Sequence, residues 1–307
     1  MPPSASPGRV PGPAATSAEW WRQAVVYQVC ARSLAGPGAG PAADLRGVIS
    51  QISYLASLGI DAVWLSPFDP SALADDGYGF DEMSSGLLAH GIKVIVDIAP
   101  GYASDGHPWF TEALAAPPPS AAADRSIFRD GLGQAFTFDL LEASWDVGEF
   151  LQVITDNLAA AQQHGASATW VLSSYDATPR RAHAAALLML ALPGSACLGQ
   201  GEELGLYQVT DLALSIKIQQ HDPDSTLNLY RQALGWRRKL QGAERLEWMP
   251  GTNEQVLHFG RPGGWRSVTN LGPRAVPLPP GTVVAASAPL QTGLLPADTT
   301  AWIIPGG

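Results

Sequence analysis

From Trp20 onward the apolar residues fall into two alternating kinds of run. In the first they are near-continuous and rich in β-branched types: "AVVYQV" (24–29), "DAVWLSPF" (61–68), "IKVIVDIAP" (92–100) and "ATWVLSSYD" (168–176). In the second they recur at helical spacing: "DLRGVISQISYLASLG" (44–59), a short helix closed by "GLLAHG" (86–91), and "SWDVGEFLQVITDNLAAAQQHG" (144–165). Ser144 is a suitable N-cap for the last of these and Gly165 a suitable terminator. "AFTFDLL" (135–141) reads as a further strand, "RRAHAAALLMLALPG" (180–194) as a buried helix, and "SACLGQGEELG" (195–205) as a last strand and turn. Apolar strands alternating with helices predict a parallel sheet covered on both faces.

A Pro/Ala stretch at 114–125 interrupts this order and reads as a loop or junction. After "LYRQALGWRRKLQG" (229–242) the pattern changes to short alternating strands, "QVLHFGR", "WRSVTNL", "TVVAAS" and "TAWIIP", separated by Pro/Gly turns. The expected division is a disordered leader over 1–18, an α/β domain over 19–240 and an antiparallel β domain over 241–307. That last module is small for a free-standing domain and is expected to dock on the first.

Charge narrows the partners. With 18 basic against 28 acidic residues the formal charge is −10, which repels phosphate backbones and argues against nucleic acid. Cys30 and Cys197 stand far apart in apolar company, and the six histidines form no ligand-spaced pattern, so neither a disulfide framework nor a metal site is expected, and no cofactor. The leader lacks an apolar signal region and the longest apolar run is broken by Pro193, so a soluble cytoplasmic protein without membrane contact is expected.

The blocks "WWRQAVVYQVCARSLA", "DLRGVISQISYLASLGIDAVWLSPF", "IKVIVDIAPGYASDGHPWF", "IFRDG", "ATWVLSSYD" and "AAALLMLALPGSACLGQGEELGL" resemble, in order, the bacterial α-glucosidases of the alpha-amylase family. The tail "LHFGRPGGWRSVTNLG" resembles that family's C-terminal β-sandwich. The resemblance implies a (β/α)8 barrel with its site at the C-terminal strand ends. It also implies retaining hydrolysis by a carboxylate nucleophile and a carboxylic acid/base, with a third carboxylate gripping the sugar.

Departures from the family pattern are concentrated at the site. The Gly-Phe-Arg-x-Asp motif that carries the nucleophile on the fourth strand is missing, as is the fifth strand with its acid/base Glu. "IFRDGLG" runs almost directly into "AFTFDLL", which corresponds to the sixth strand, so a shrunken or incomplete barrel of about six strands is expected. The resemblance maps Asp97 onto the third-strand Asp and Asp176 onto the seventh-strand Asp. Tyr102 and Tyr175 stand where the family has histidines, and Tyr78 where it has the tyrosine under the bound sugar. The loop after the first strand lacks the family's calcium-binding acids, so calcium is not expected.

The candidate catalytic residues are therefore Asp176, Asp97, Tyr175 and Tyr102, and the candidate binding residues Tyr78, Tyr27, Trp64, Cys30, Cys197, Gln200 and Glu202. Each has a structural alternative. Asp97 serves support as readily as function, Glu202 and Glu203 are better read as braces, and the cysteines as apolar fillers that would meet only if strands one and eight are neighbours. Replacing imidazole by phenol removes a cation-capable donor and adds an aromatic face, through drift or through conversion to a more apolar, ring-shaped ligand.

Three readings follow. The first is an enzyme repurposed for acid/base chemistry (cyclisation, elimination or isomerisation) on a small molecule. The second is a non-catalytic binder of a sugar-like metabolite, and the third a residual α-glucosidase. Barrel edges left by the lost strands must re-close or be covered, for which a second copy of the chain is a candidate.

Overall fold

The computed structural model describes residues 19–30, 41–66, 78–96, 134–172, 178–206, 212–250 and 254–306. Six short strands, β1 (Val25–Val29), β2 (Ala62–Leu65), β3 (Lys93–Val96), β4 (Gln134–Thr137), β5 (Ser167–Val171) and β6 (Ser195–Leu198), form one parallel sheet in the order β3-β2-β1-β6-β5-β4. Among the described residues this is the neighbour order of a parallel barrel left open between β3 and β4, which are the sheet's two edges.

The strands separate two cores. Val25, Tyr27 and Val29 of β1, Val63 and Leu65 of β2, Ala168 and Trp170 of β5, and Leu198 of β6 face the helices in the main core. On the opposite parity, Val26, Ala62, Val171 and Cys197, with Trp64, Ile95 and Phe136 against them, form a second cluster inside the curve of the sheet. The curvature follows from one pair of rings. Trp64 on β2 and Phe136 on β4 are four strand steps apart, about 19 Å in a flat sheet. Their ring centroids nevertheless lie 5.0 Å apart, stacked. The sheet is thus a curled, incomplete barrel with aromatic bulk in its interior.

Helices cover the outside. The expected helix over 44–59 is two, α1 (Pro41–Ser50) and α2 (Ile52–Leu58), joined at Gln51. The remaining barrel helices are α3 (Tyr78–Ala89), a single turn α4 (Asp139–Glu142), α5 (Val147–Gln163), α6 (Pro179–Ala191), α7 (Leu212–Gln219) and α8 (Thr226–Leu240). The N-cap of α5 is Asp146, not Ser144: the Asp146 carboxylate accepts from Glu149 N (3.1 Å), and the Glu149 carboxylate accepts from Ser144 N (2.7 Å). The N-cap thus sits two residues further along than the sequence suggested, and Glu149 reaches back past it to Ser144. Gly165 follows the last turn with φ 62°, a conformation suited to glycine.

The uninterrupted apolar run of α6 is explained by burial on all sides: every residue from Ala184 to Ala191 is buried. One side meets the barrel strands. The other meets a C-terminal antiparallel sheet, β7 (Glu247–Trp248), β8 (Val256–Gly260), β9 (Arg266–Asn270), β11 (Thr282–Ala286) and β13 (Thr299–Ile304), ordered β11-β13-β9-β8-β7. Thr300 Oγ1 and Trp302 Nε1 donate to the carbonyls of Ala184 (2.8 Å) and Leu187 (3.0 Å), and Trp302 belongs to the main core. A ribbon of β10 (Val276–Pro277) and β12 (Leu294–Leu295) closes the far face over Val256, Val268, Ala301 and Ile303. No helix among the described residues is long and apolar enough to cross a membrane.

Candidate functional site

Parallel strands deliver their C-terminal ends to one rim, and the candidate catalytic residues all follow strand ends in the chain. Asp97 comes next after Val96 of β3, and Tyr175 and Asp176 lie between β5 and Thr178, the N-cap of α6. Asp97, Tyr102, Tyr175 and Asp176 lie outside the described residues. Tyr78 opens α3. The rim has therefore to be built from the other candidates.

Two of these turn away from the interior. Tyr27 is on the helix-facing parity of β1, 2% exposed, and its hydroxyl donates to Glu203 Oε1 (2.9 Å) while accepting from Gly201 N (3.1 Å). A second phenol, Tyr54 of α2, donates to the same oxygen at 2.6 Å. Tyr27 is thus a brace between the barrel and the turn after β6, which corrects its assignment to the ligand side. Glu202 is held likewise: one oxygen accepts from Tyr230 of α8 (2.9 Å), the other from Gly199 N (3.0 Å). These bonds fix the turn after β6 to α8.

Glu203 is fully buried, and burial raises its pKa above the ordinary carboxylate value against the lowering effect of the two phenols. Among the described residues its second oxygen has no hydrogen-bond partner. The sign of the pH dependence follows. Because the folded protein holds this proton to higher pH than the unfolded chain, Glu203 makes stability fall as pH rises from the unfolded value near 4.5 through the raised folded value. Glu203→Gln is expected to remove that slope while staying within about 1 kcal/mol of wild type at neutral pH. Glu203→Ala, which orphans both phenols, should lose about 2–4 kcal/mol. Urea melts at stepped pH read both, and an unchanged slope in Glu203→Gln would exclude Glu203 as its source.

Of the remaining candidates, Cys197 and Trp64 belong to the inner cluster. Gln200 Oε1 accepts from Cys30 N at 2.9 Å, tying the end of β1 to the turn after β6. Cys197 faces the inner cluster at 1% exposure, and burial, then the nearby Glu202 charge, push its thiol up to about 12, which leaves it an inert filler. Strands one and last are indeed neighbours, but the register opposes Cys197 to Val26, four residues before Cys30. That puts the two cysteines about 13 Å apart along the strands, beyond the roughly 7 Å reach of a disulfide.

Trp64 leads to residues that the motif comparison missed. Phe136 stacks on Trp64 at 5.0 Å, and Phe138 stacks on Phe136 at 6.2 Å. The outermost ring, at the C-terminal end of β4, is 50% exposed. The signal was present in "AFTF": phenylalanines two apart share one face of a strand. Below this ladder the interior is polar. Gln134 Nε2 donates to Thr169 Oγ1 and Ser195 Oγ, and those hydroxyls bond each other at 2.8 Å. No group of three or more His, Cys, Asp or Glu side chains is placed to hold a metal ion among the described residues.

Comparison with known proteins fits this architecture. Residues 28–134 match the alpha-amylase catalytic domain. The glucan 1,6-alpha-glucosidase of Streptococcus dysgalactiae subsp. equisimilis is 38% identical over 128 residues, 36% of this chain and 24% of that one. The oligo-1,6-glucosidase of Heyndrickxia coagulans is 38% identical over 111 residues, 31% and 20% of the respective chains. The matched stretch thus spans a quarter or less of these relatives. In fold, the isomaltulose synthase SmuA of Protaminobacter rubrum superposes with a TM-score of 0.66 at 14% identity, over 94% of this chain and 99% of that one. Part of this chain, residues 28–134, is thus similar to the alpha-amylase catalytic domain and to bacterial glucosidases, and its described strands form one six-stranded parallel sheet.

Proposed function

We propose that the protein has left retaining glycoside hydrolysis and acts on a small, ring-shaped, largely apolar molecule by acid/base chemistry at the C-terminal rim. The observation that carries this reading is the aromatic ladder Trp64–Phe136–Phe138, which ends in a half-exposed ring at the rim. A half-exposed phenyl stacked on a second ring, itself stacked on Trp64, is an apolar platform for a planar or puckered ring. It offers none of the hydroxyl-directed donors that a sugar demands.

Asp97 and Asp176 are the groups assigned to proton transfer, and Tyr102 and Tyr175 the phenols that orient or relay, since a titratable pair without a nucleophile suffices for isomerisation, elimination or cyclisation. A synthase among the fold relatives is in keeping with non-hydrolytic chemistry on this scaffold, although likeness at that identity speaks only for the fold.

The test is a ligand-observed NMR screen over ring-bearing small molecules, repeated on variants. Phe138→Ala is expected to weaken binding 2- to 10-fold, the worth of one aromatic contact. Asp176→Asn and Tyr175→Phe are expected to abolish turnover of the captured ligand with binding retained. Binding untouched by Phe138→Ala would sink the platform. Capture without turnover by the wild type would establish a binder in place of the enzyme.

A further inference from the structure

A cavity lies at the N-terminal end of the sheet, where β5 begins. Its volume is about 1040 Å³, and it runs between the start of β5, the last turns of α5 and the β7–β9 part of the C-terminal sheet. Four arginines line it, Arg22, Arg245, Arg261 and Arg266, against two carboxylates, Glu244 and Glu247. That balance is the reverse of the whole chain, whose formal charge is −10.

Arg22 is already neutralised. It pairs with Glu19 at 2.9 Å, lies 3.9 Å from Glu244 and donates to the Gly165 carbonyl at 2.8 Å. The other three guanidiniums have no ion-pair partner within 4 Å among the described residues. Arg261 is 7% exposed, donates through Nη1 to the carbonyls of Arg245 and Ala243, and has no hydrogen-bond partner for its Nε. Arg266 donates to the Pro280 carbonyl. Arg245 is exposed at the edge.

Holding a guanidinium this deeply is costly, and burial together with the Arg237 charge lowers Arg261 to about 10 against the raising effect of Glu244. An incoming anion would relieve this. Three planar forks can grip a doubly charged tetrahedral group through paired N–H···O bonds, as lysines cannot. The cavity is far larger than a bare phosphate, and Leu158, Ala161, Leu246 and Met249 supply an apolar wall for an organic remainder.

We propose that this groove is a binding site for a phosphorylated small molecule, its phosphate held by Arg245, Arg261 and Arg266. The site is independent of the rim chemistry, being built on the N-terminal ends of the strands.

Thermal melts and calorimetry with inorganic phosphate and glycerol 3-phosphate, against chloride at equal ionic strength, test it. Saturable stabilisation by both phosphates is expected. Arg245→Ala combined with Arg266→Ala should weaken phosphate binding at least tenfold. Arg245→Glu alone, at an exposed position that leaves folding intact, should do so as well. No saturable response, or an equal response in these variants, would overturn the proposal. A response to citrate but not to either phosphate would overturn the assignment to phosphate.

Discussion

Arg237→Ala is expected to lower the free energy of unfolding by about 3–5 kcal/mol, the largest stability loss of any single side chain outside the apolar core. Arg237 is fully enclosed and donates to three carbonyls at the end of α6: Leu190 (2.5 Å), Leu192 (3.1 Å) and Gly194 (2.6 Å). These are the orphan acceptors of a helix terminus buried too deeply for water. Burial lowers the guanidinium to about 10, so it still carries its charge at neutral pH and its field opposes the carbonyl dipoles at the helix end.

The turn it secures leaves no room for repair. Gly194 has φ 98°, and a Cβ there would lie 2.3 Å from the Ala168 carbonyl oxygen, while Trp170 Nε1 holds the Pro193 carbonyl at 2.6 Å. Truncation therefore leaves three unpaired carbonyls and a cavity beside β6, the strand that carries Cys197 inward and leads to Gln200. Arg237→Lys, keeping the charge but only one direction of donation, should recover less than half of the loss. Urea denaturation followed by far-ultraviolet circular dichroism measures both variants. A loss under about 1 kcal/mol for Arg237→Ala would show that the turn is held by packing alone.

How far the sequence led is clearest at individual residues. The six parallel strands were readable because strands buried on both faces are near-continuously apolar, and "AVVYQV", "DAVWL" and "ATWV" leave no polar face to expose. The order of those strands came from family resemblance, since periodicity does not say which strand lies beside which. Tyr27 was misplaced for a related reason. A tyrosine in a strand of this kind has a polar tip that suits either a rim or a buried acceptor, and only the tertiary position of Glu203 settles which. Phe138 was overlooked because no motif marks it. Its meaning depends on Trp64, four strand steps away across a curled sheet. The arginine groove was illegible for the same reason: Arg22 and Arg245 are more than two hundred residues apart in the chain, and their common cavity exists only once the C-terminal sheet has docked.

Release of nitrophenol from p-nitrophenyl α-glucoside is expected to run at least about 10⁴-fold slower than with a full-length glucosidase relative assayed alongside, the scale of loss when a nucleophile or its partner is removed. Retaining hydrolysis needs two carboxyl groups about 5–5.5 Å apart on opposite sides of the anomeric carbon. The resemblance places both on the family's fourth and fifth strands, and among the described residues β3 and β4 are the two edges of the sheet with no strand between them in the chain. The described strand ends offer no substitute: β4 ends at Thr137 and runs into Phe138, β5 ends at Val171, and β6 ends at Leu198 before Gly199. The nearest carboxylates are committed elsewhere. Glu202 is engaged by Tyr230 and Gly199, Glu203 by Tyr27 and Tyr54, and Asp139 accepts from Asn157 at 2.8 Å. Inside the curve of the sheet the described residues present the stacked rings of Trp64 and Phe136. Asp97 and Asp176 would then have to act as nucleophile and acid, following strands that lie first and fifth in the sheet order, with three strands between them. Turnover within tenfold of the relative, abolished by Asp97→Asn or Asp176→Asn, would mean that this pair has taken over the lost chemistry, and the reading of the rim as a non-hydrolytic site would have to be given up.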